Sequence, residues 1–312
     1  MVRSVLAPAV ALLLAPLLAT LPLRANDGHQ QPDLQQPESQ QPEPQQPESK
    51  RDNPVLKTVR IPFEFNVVPG TQWAPQSVDP TARDDRSLFD FKVKPVIPFK
   101  LNDDWSILTY TVLRFVSVPW ANPVPSLSPQ GVPSIDWKPT NEIGLSTISP
   151  TAILVPHISP DWTVGVGPSL MAPVSSFPRS SEQWLAGPAV FAAYLKDPWL
   201  VGARLHNLWS FAGNPDMEDV NLMILRPIVQ LQLNNDWFLI SSPIVTADWT
   251  HPKGQGWTLP LGGGIGRRIS MGRQQMQISL QGYYNVLKPQ VDGEDLLGDW
   301  TVRTEVVFLL PK

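Results

Sequence analysis

From residue 58 onward the chain alternates apolar and polar residues in runs of about ten or more. Between 276 and 286, Ile278, Leu280, Tyr284 and Val286 share one side, and Gln277, Ser279, Gln281 and Asn285 share the other. Between 300 and 310, Trp300, Val302, Val306, Phe308 and Leu310 face one way, while Thr301, Arg303 and Glu305 face the other. A period of two is the signature of a strand with unlike faces. Globular strands usually run about five or six residues, whereas a tilted strand needs about 9–11 to cross a bilayer. Length therefore favours a membrane barrel over a soluble sandwich. No uncharged apolar stretch after residue 57 is long enough for a membrane helix.

The pattern predicts an all-β fold, a transmembrane antiparallel β-barrel of the outer-membrane type with about 12 strands. These fall at 58–68, 87–100, 105–117, 141–156, 162–172, 184–195, 199–211, 220–233, 237–249, 257–268, 275–287 and 299–310. Short connections near 101–104, 157–161, 196–198, 234–236 and 269–274 alternate with longer ones. The longest is a proline-rich loop at 118–140. Short periplasmic turns and longer outside loops are the rule for such barrels. Proline, at 36 of 312 residues, excludes a helical protein and sits awkwardly in strands too. Pro95, Pro168, Pro188, Pro227, Pro243 and Pro260 fall inside them. Each removes a ladder donor, so bulges or rim positions are expected there.

Tight turns and tryptophan recur together, as in Asn102-Asp103-Asp104-Trp105, Pro160-Asp161-Trp162, Asp197-Pro198-Trp199 and Asn235-Asp236-Trp237. Asn, Asp and Pro suit such turns. A Trp at a strand end suits a membrane–water interface. Trp105, Trp162, Trp199 and Trp237 would form one aromatic girdle, with Trp209, Trp249 and Trp257 near the opposite strand ends and Trp300 a further interface aromatic.

Residues 1–25 carry Arg3, then an uncharged Leu- and Ala-rich run, and end on Ala25. That is the pattern of a secretory signal peptide. Its alternative is a membrane anchor, weakened by Pro8, Pro16 and Pro22. Residues 26–56 repeat Gln-Gln-Pro and have almost nothing to bury, so they read as a disordered periplasmic tether. The barrel is assigned to 57–312. The chain has no cysteine, which excludes disulfides and thiol chemistry, and a net charge of −4 gives no footprint for nucleic acid.

Alternation places a set of charges on the inward side: Lys92, Lys94, Arg114 and Glu142, then Arg204, Arg226, Asp248 and Arg268, and finally Arg303 and Glu305. A lipid-facing Arg or Lys at the midplane would cost about 2–4 kcal/mol. Two readings stand side by side. The charges either brace the interior as ion pairs or line a path for solutes. His206 shares the face of Arg204 and reads as a polar lumen residue rather than a base. No Gly-x-Ser-x-Gly or His-Glu-x-x-His motif occurs. Gly262 to Gly266 lacks the spacing of a nucleotide loop. No catalytic residue, metal site or cofactor is expected.

Several segments carry a family resemblance: Gly187-Pro188-Ala189-Val190-Phe191, Leu205 to Gly213, Arg226-Pro227, Ser241-Ser242-Pro243-Ile244, Trp257 to Gly266, Gly282-Tyr283-Tyr284-Asn285-Val286 and the ending Phe308-Leu309-Leu310-Pro311-Lys312. Together they resemble the bacterial outer-membrane β-barrel family labelled MetA-pathway of phenol degradation, whose members are often called transporters or neuromedin U. The resemblance covers about 85–312. It implies a barrel in the outer membrane of a Gram-negative-type cell with a transport role; the family label points to hydrophobic or aromatic compounds but supplies no substrate or catalytic residue, and passive passage without a chemical step is the expectation. Membrane lipid, a small solute and the barrel assembly machinery would be its partners. The Pro-Lys ending departs from the usual terminal aromatic. The alternatives are a structural or partner-binding barrel that does not conduct and, behind it, an outer-membrane hydrolase.

Overall fold

The computed structural model describes residues 53–72, 86–127, 132–174, 182–234, 236–252, 254–272, 274–291 and 293–311. The expected signal peptide and most of the expected tether lie outside them. The described chain is an antiparallel barrel of twelve strands. In order they are β1 (Thr58–Pro69), β2 (Ser87–Val93 with Val96–Lys100), β3 (Trp105–Leu127), β4 (Pro133–Pro156), β5 (Trp162–Pro173), β6 (Trp184–Lys196), β7 (Trp199–Ala212), β8 (Asn221–Gln232), β9 (Trp237–Ser241 with Val245–Asp248), β10 (Trp257–Met271), β11 (Gln274–Leu287) and β12 (Trp300–Pro311). Each pairs with its neighbours in sequence. β1 pairs with β12 from Thr58↔Pro311 to Val67↔Val302, which closes the cylinder. Closure removes the unpaired edge that an open sheet would present.

The two faces separate as the alternation requires. On β7, Trp199, Val201, Leu205, Trp209 and Phe211 are exposed on the outside, while His206 and Leu208 are buried inside. Trp199 and Trp209 lie ten residues apart on this strand. That is roughly 33 Å along the chain at about 3.3 Å per residue, or roughly 25 Å along the axis at a tilt near 40°, the height of a membrane barrel's apolar band. The turn device is also visible. Asn102 Oδ1 accepts from the amides of Asp104 and Trp105, both at 2.9 Å. Asn234 Oδ1 accepts from Asp236 and Trp237 at 3.0 and 2.8 Å.

Prolines are accommodated by position. Pro168 and Pro188 face each other across β5 and β6. They occupy a pair that exchanges no ladder bonds, because the alternate pairs do: Leu195 N donates to Asp161 O at 2.8 Å. The glycines before them let the outer neighbours close in. A Cβ on Gly167 would lie 1.8 Å from Ala152 O, and one on Gly187 would lie 1.9 Å from Asn207 O. Pro95 and Pro243 sit in the short gaps of β2 and β9. Pro260 sits at a register shift against β11.

The expected loop at 118–140 is instead a hairpin. β3 and β4 stay paired from Trp105↔Pro156 to Leu127↔Pro133, with one bulge at Arg114/Phe115, so only 128–132 connects them. The reason lies in the spacing of the prolines. Pro119↔Asn141, Ala121↔Pro139, Pro123↔Trp137, Pro125↔Ile135 and Leu127↔Pro133 are all alternate pairs of one set. Thr111, of the same parity on β3, directs its amide away from β4 to Pro95 O at 3.1 Å. Each of these five prolines therefore lacks a donor only on the hairpin's open side, where none is needed.

At the end holding the short turns, Pro54–Lys57 form a single helical turn, α1, capped by Asn53 Oδ1 accepting from Val55 N at 2.9 Å. Asn53 Nδ2 donates to Thr163 Oγ1 at 2.7 Å. Val55 is buried against Leu108, Ile153 and Val155, which point into the barrel, and Phe191 packs on the same cluster. The chain just before β1 is thus seated in the barrel mouth.

Candidate functional site

The interior is polar at mid-height because β1, β2, β8 and β12 each project charges there. Glu64 is fully buried on β1, between the outward Phe63 and Phe65. Its Oε1 meets Lys92 Nζ at 3.1 Å and accepts from Asn66 Nδ2 at 2.9 Å. Its Oε2 takes Lys94 Nζ and, at 2.9 Å, Arg226 Nη1, with Arg303 Nε at 3.8 Å. Glu305, the direct partner of Glu64 across β1 and β12, meets Lys94 Nζ at 2.6 Å and Arg226 Nη2 at 3.4 Å. Asp90 joins Lys92 at 2.9 Å and Arg114 Nε at 2.9 Å. Two carboxylates side by side would repel. The cations placed between them make the pair tenable.

Arg226 stands on β8 and Glu64 on β1, five strand positions apart around a ring of twelve. Their ion pair therefore crosses the lumen. Arg303 makes a second crossing. Its Nε donates to Asn66 Oδ1 at 2.5 Å and its Nη1 to the Ser242 carbonyl at 2.5 Å. Ser242 opens the gap in β9. Its amide donates to the Tyr283 hydroxyl at 2.9 Å, and that hydroxyl donates to Gln281 Oε1 at 2.5 Å. Interior side chains thus bond wall backbone that Pro243 leaves outside the ladder.

A second group lies between β3 and β7. The Arg204 guanidinium stacks 3.6 Å from the centre of the Tyr110 ring, and its Nη2 donates to the Tyr110 hydroxyl at 2.8 Å. His206 Nδ1 is 3.0 Å from Ser169 Oγ, which is 2.7 Å from Thr151 Oγ1. A serine and a histidine do meet here, though no segment of the sequence singles them out. The Thr151 hydroxyl extends the chain from the serine, not from the histidine, and among the described residues no carboxylate bonds His206 in the way that orients a catalytic histidine. A second such pair, Ser106 Oγ with His157 Nε2 at 2.8 Å, sits where His157 Nδ1 bonds the carbonyl of Asp103 and ties two turns together.

Of the residues singled out by alternation, Lys92, Lys94, Arg114, Arg226, Arg303 and Glu305 come together. Arg204 and His206 lie beside them. Asp248, Glu142 and Arg268 do not join. Asp248 ends β9 at the outer rim and binds its own loop, accepting from the Thr250 hydroxyl at 2.7 Å, with His251 Nδ1 at 3.4 Å. Glu142 lies opposite Val118 on the hairpin. Arg268 is exposed near the short-turn end of β10. The residues missed were Glu64, Asn66 and Asp90. The signal was present, since Glu64 lies between Phe63 and Phe65, and Asp90 between Phe89 and Phe91.

Trp105, Trp162, Trp199 and Trp237 begin strands at the short-turn end and are exposed. Trp249, Trp257 and Trp300 lie at the other end, with the rings of Trp249 and Trp257 edge to face at 5.4 Å.

No protein-family model and no curated protein matches the sequence. Among solved structures, the chain is similar to the COG4313 outer membrane channel from Pseudomonas putida F1, at a TM-score of 0.55 and 11% identity over 85% of this chain and 99% of that one. Weaker likenesses include the NanC porin, at a TM-score of 0.44 and 13% identity over 81% and 98% of the two chains. The Ralstonia pickettii toluene transporter TbuX follows at 0.40 and 10% over 85% and 92%. At these identities the first likeness fixes the fold as that of an outer-membrane barrel.

Proposed function

We propose that this protein resides in the outer membrane and passes small solutes passively, with no chemical step of its own. The observation that carries the reading is a closed cylinder with apolar side chains outside and a charged interior. In this reading residues 1–25 direct export, 26–56 form a periplasmic tether, and the assembly machinery inserts the barrel. The end-of-strand tryptophans sit in the interfaces. Lys92, Lys94, Arg114, Arg204, His206, Arg226, Arg303 and Glu305 line the path at mid-height, with Glu142 and Asp248 near the outer mouth and Arg268 at the periplasmic one. The family resemblance in the sequence agrees with hydrophobic or aromatic solutes.

Reconstitution into planar bilayers tests this. Discrete conductance steps are expected, and Arg226→Gln should raise them and shift the reversal potential by removing a side chain that crosses the lumen. A correctly folded barrel that gives no steps would overturn the channel. It would favour a structural barrel, a reading supported by the two crossings themselves, which narrow the passage. Liposome swelling with solutes graded in size and polarity then identifies the class that passes.

A further inference from the structure

Six cations share the mid-height interior with three carboxylates, Glu64, Asp90 and Glu305. Five of the six are held by those carboxylates. Arg204 is not. Its contacts among the described residues are the Tyr110 ring and hydroxyl, and its Nε is buried without an acceptor. A buried guanidinium facing only a neutral phenol is costly, because low dielectric penalises an uncompensated charge. The cost is compounded by register. Arg204 lies directly opposite Arg226, and like charges so placed repel. Arg226 turns away to Glu64 and Glu305, which leaves Arg204 without a share of either.

The surroundings of Arg204 are mixed. On its other side it is paired with Phe191, which packs on the apolar cluster around Leu108 and Ile153. Next along β7, His206 reaches the hydroxyl of Ser169. A cation with spare donors thus stands between an aromatic ring, an apolar wall and small polar groups. We infer that Arg204 is the anchor of a lumenal binding site for a small organic monocarboxylate with an apolar or aromatic body. The carboxylate takes the charge-assisted hydrogen bonds that no protein carboxylate takes, and the body lies against Phe191 and Tyr110. This rests on the channel reading for its purpose, since it names the solute class, but not for its test.

The probe is benzoate, with benzamide as its neutral counterpart, titrated calorimetrically into the folded barrel in detergent and chloride-free buffer. The expected result is benzoate binding at least about tenfold tighter than benzamide. Arg204→Gln should lose that preference, Arg204→Lys should keep most of it, and Arg267→Gln, on the outer face of β10, should leave it unchanged. Equal binding of the two probes, or undiminished benzoate binding by Arg204→Gln, overturns the site. The comparison of probes uses the unaltered protein, so the test holds even if a variant fails to fold. A barrel that binds benzoate but never conducts keeps the site and sinks the channel. One that conducts without preferring benzoate does the reverse.

Discussion

Two sides of the same lumen treat buried charge in opposite ways. Where β1, β2 and β12 meet, carboxylates are oversubscribed: Glu64 alone meets Lys92, Lys94 and Arg226, with Arg303 close by. Where β3 faces β7, a single guanidinium rests on a phenol. The first side is complete as it stands, since Lys92, Lys94, Arg114, Arg226 and Arg303 each have a carboxylate within 3.8 Å. The second is complete only with something added. The difference teaches that a charged interior is not one thing. Part of it braces the wall, and part of it is free to recognise.

Breaking the braced side should have the largest effect. Glu64→Gln leaves several buried cations short of a counter-charge and should cost about 3–5 kcal/mol, read as a lowered denaturant midpoint of the folded barrel in micelles. A loss below about 1 kcal/mol would show that side to be solvated, and the contrast would vanish. Arg303→Met strands the Ser242 carbonyl and the Asn66 side chain. The expected cost is about 1–3 kcal/mol, with faster amide exchange confined to the gap in β9. Arg204→Met should go the other way. Replacing an unpaired cation by an apolar side chain of similar length is expected to be neutral or stabilising by about 1 kcal/mol, in the same unfolding experiment.

The smallest effect lies outside the bilayer. His251, in the outer loop after β9, has its pKa raised by its contact with Asp248, against the opposing effect of burial. A folded value above the unfolded one means that the contact stabilises fully below about pH 6.5. The stabilisation fades as pH rises through the folded value. Proteolysis of this loop should quicken over that window, and His251→Ala should flatten the profile.

Much of the cylinder was legible from alternation, because a wall with lipid on one side and water on the other must repeat every two residues. Trp199, Leu205 and Arg204 announce their faces without any structure. The hairpin was not legible. Pro119, Pro123 and Pro125 read as breakers when each is judged alone, and only the ladder shows that they share one open edge. Glu64 was missed for a related reason. Pro62 stands two residues before it and, judged alone, breaks the alternation that Phe63, Glu64 and Phe65 would otherwise display. Which charges pair and which is left over depends on strands far apart in the chain, as with Arg226 and Glu64, and no local pattern carries that.

The ribbon made by the outer parts of β3 and β4 has a consequence of its own. Two bare margins would ordinarily invite a stranger's backbone to join and grow into a filament. Here each margin withholds a hydrogen at several of the steps where a newcomer would bond. Copies of this protein that drift together can brush past one another, but they cannot zip.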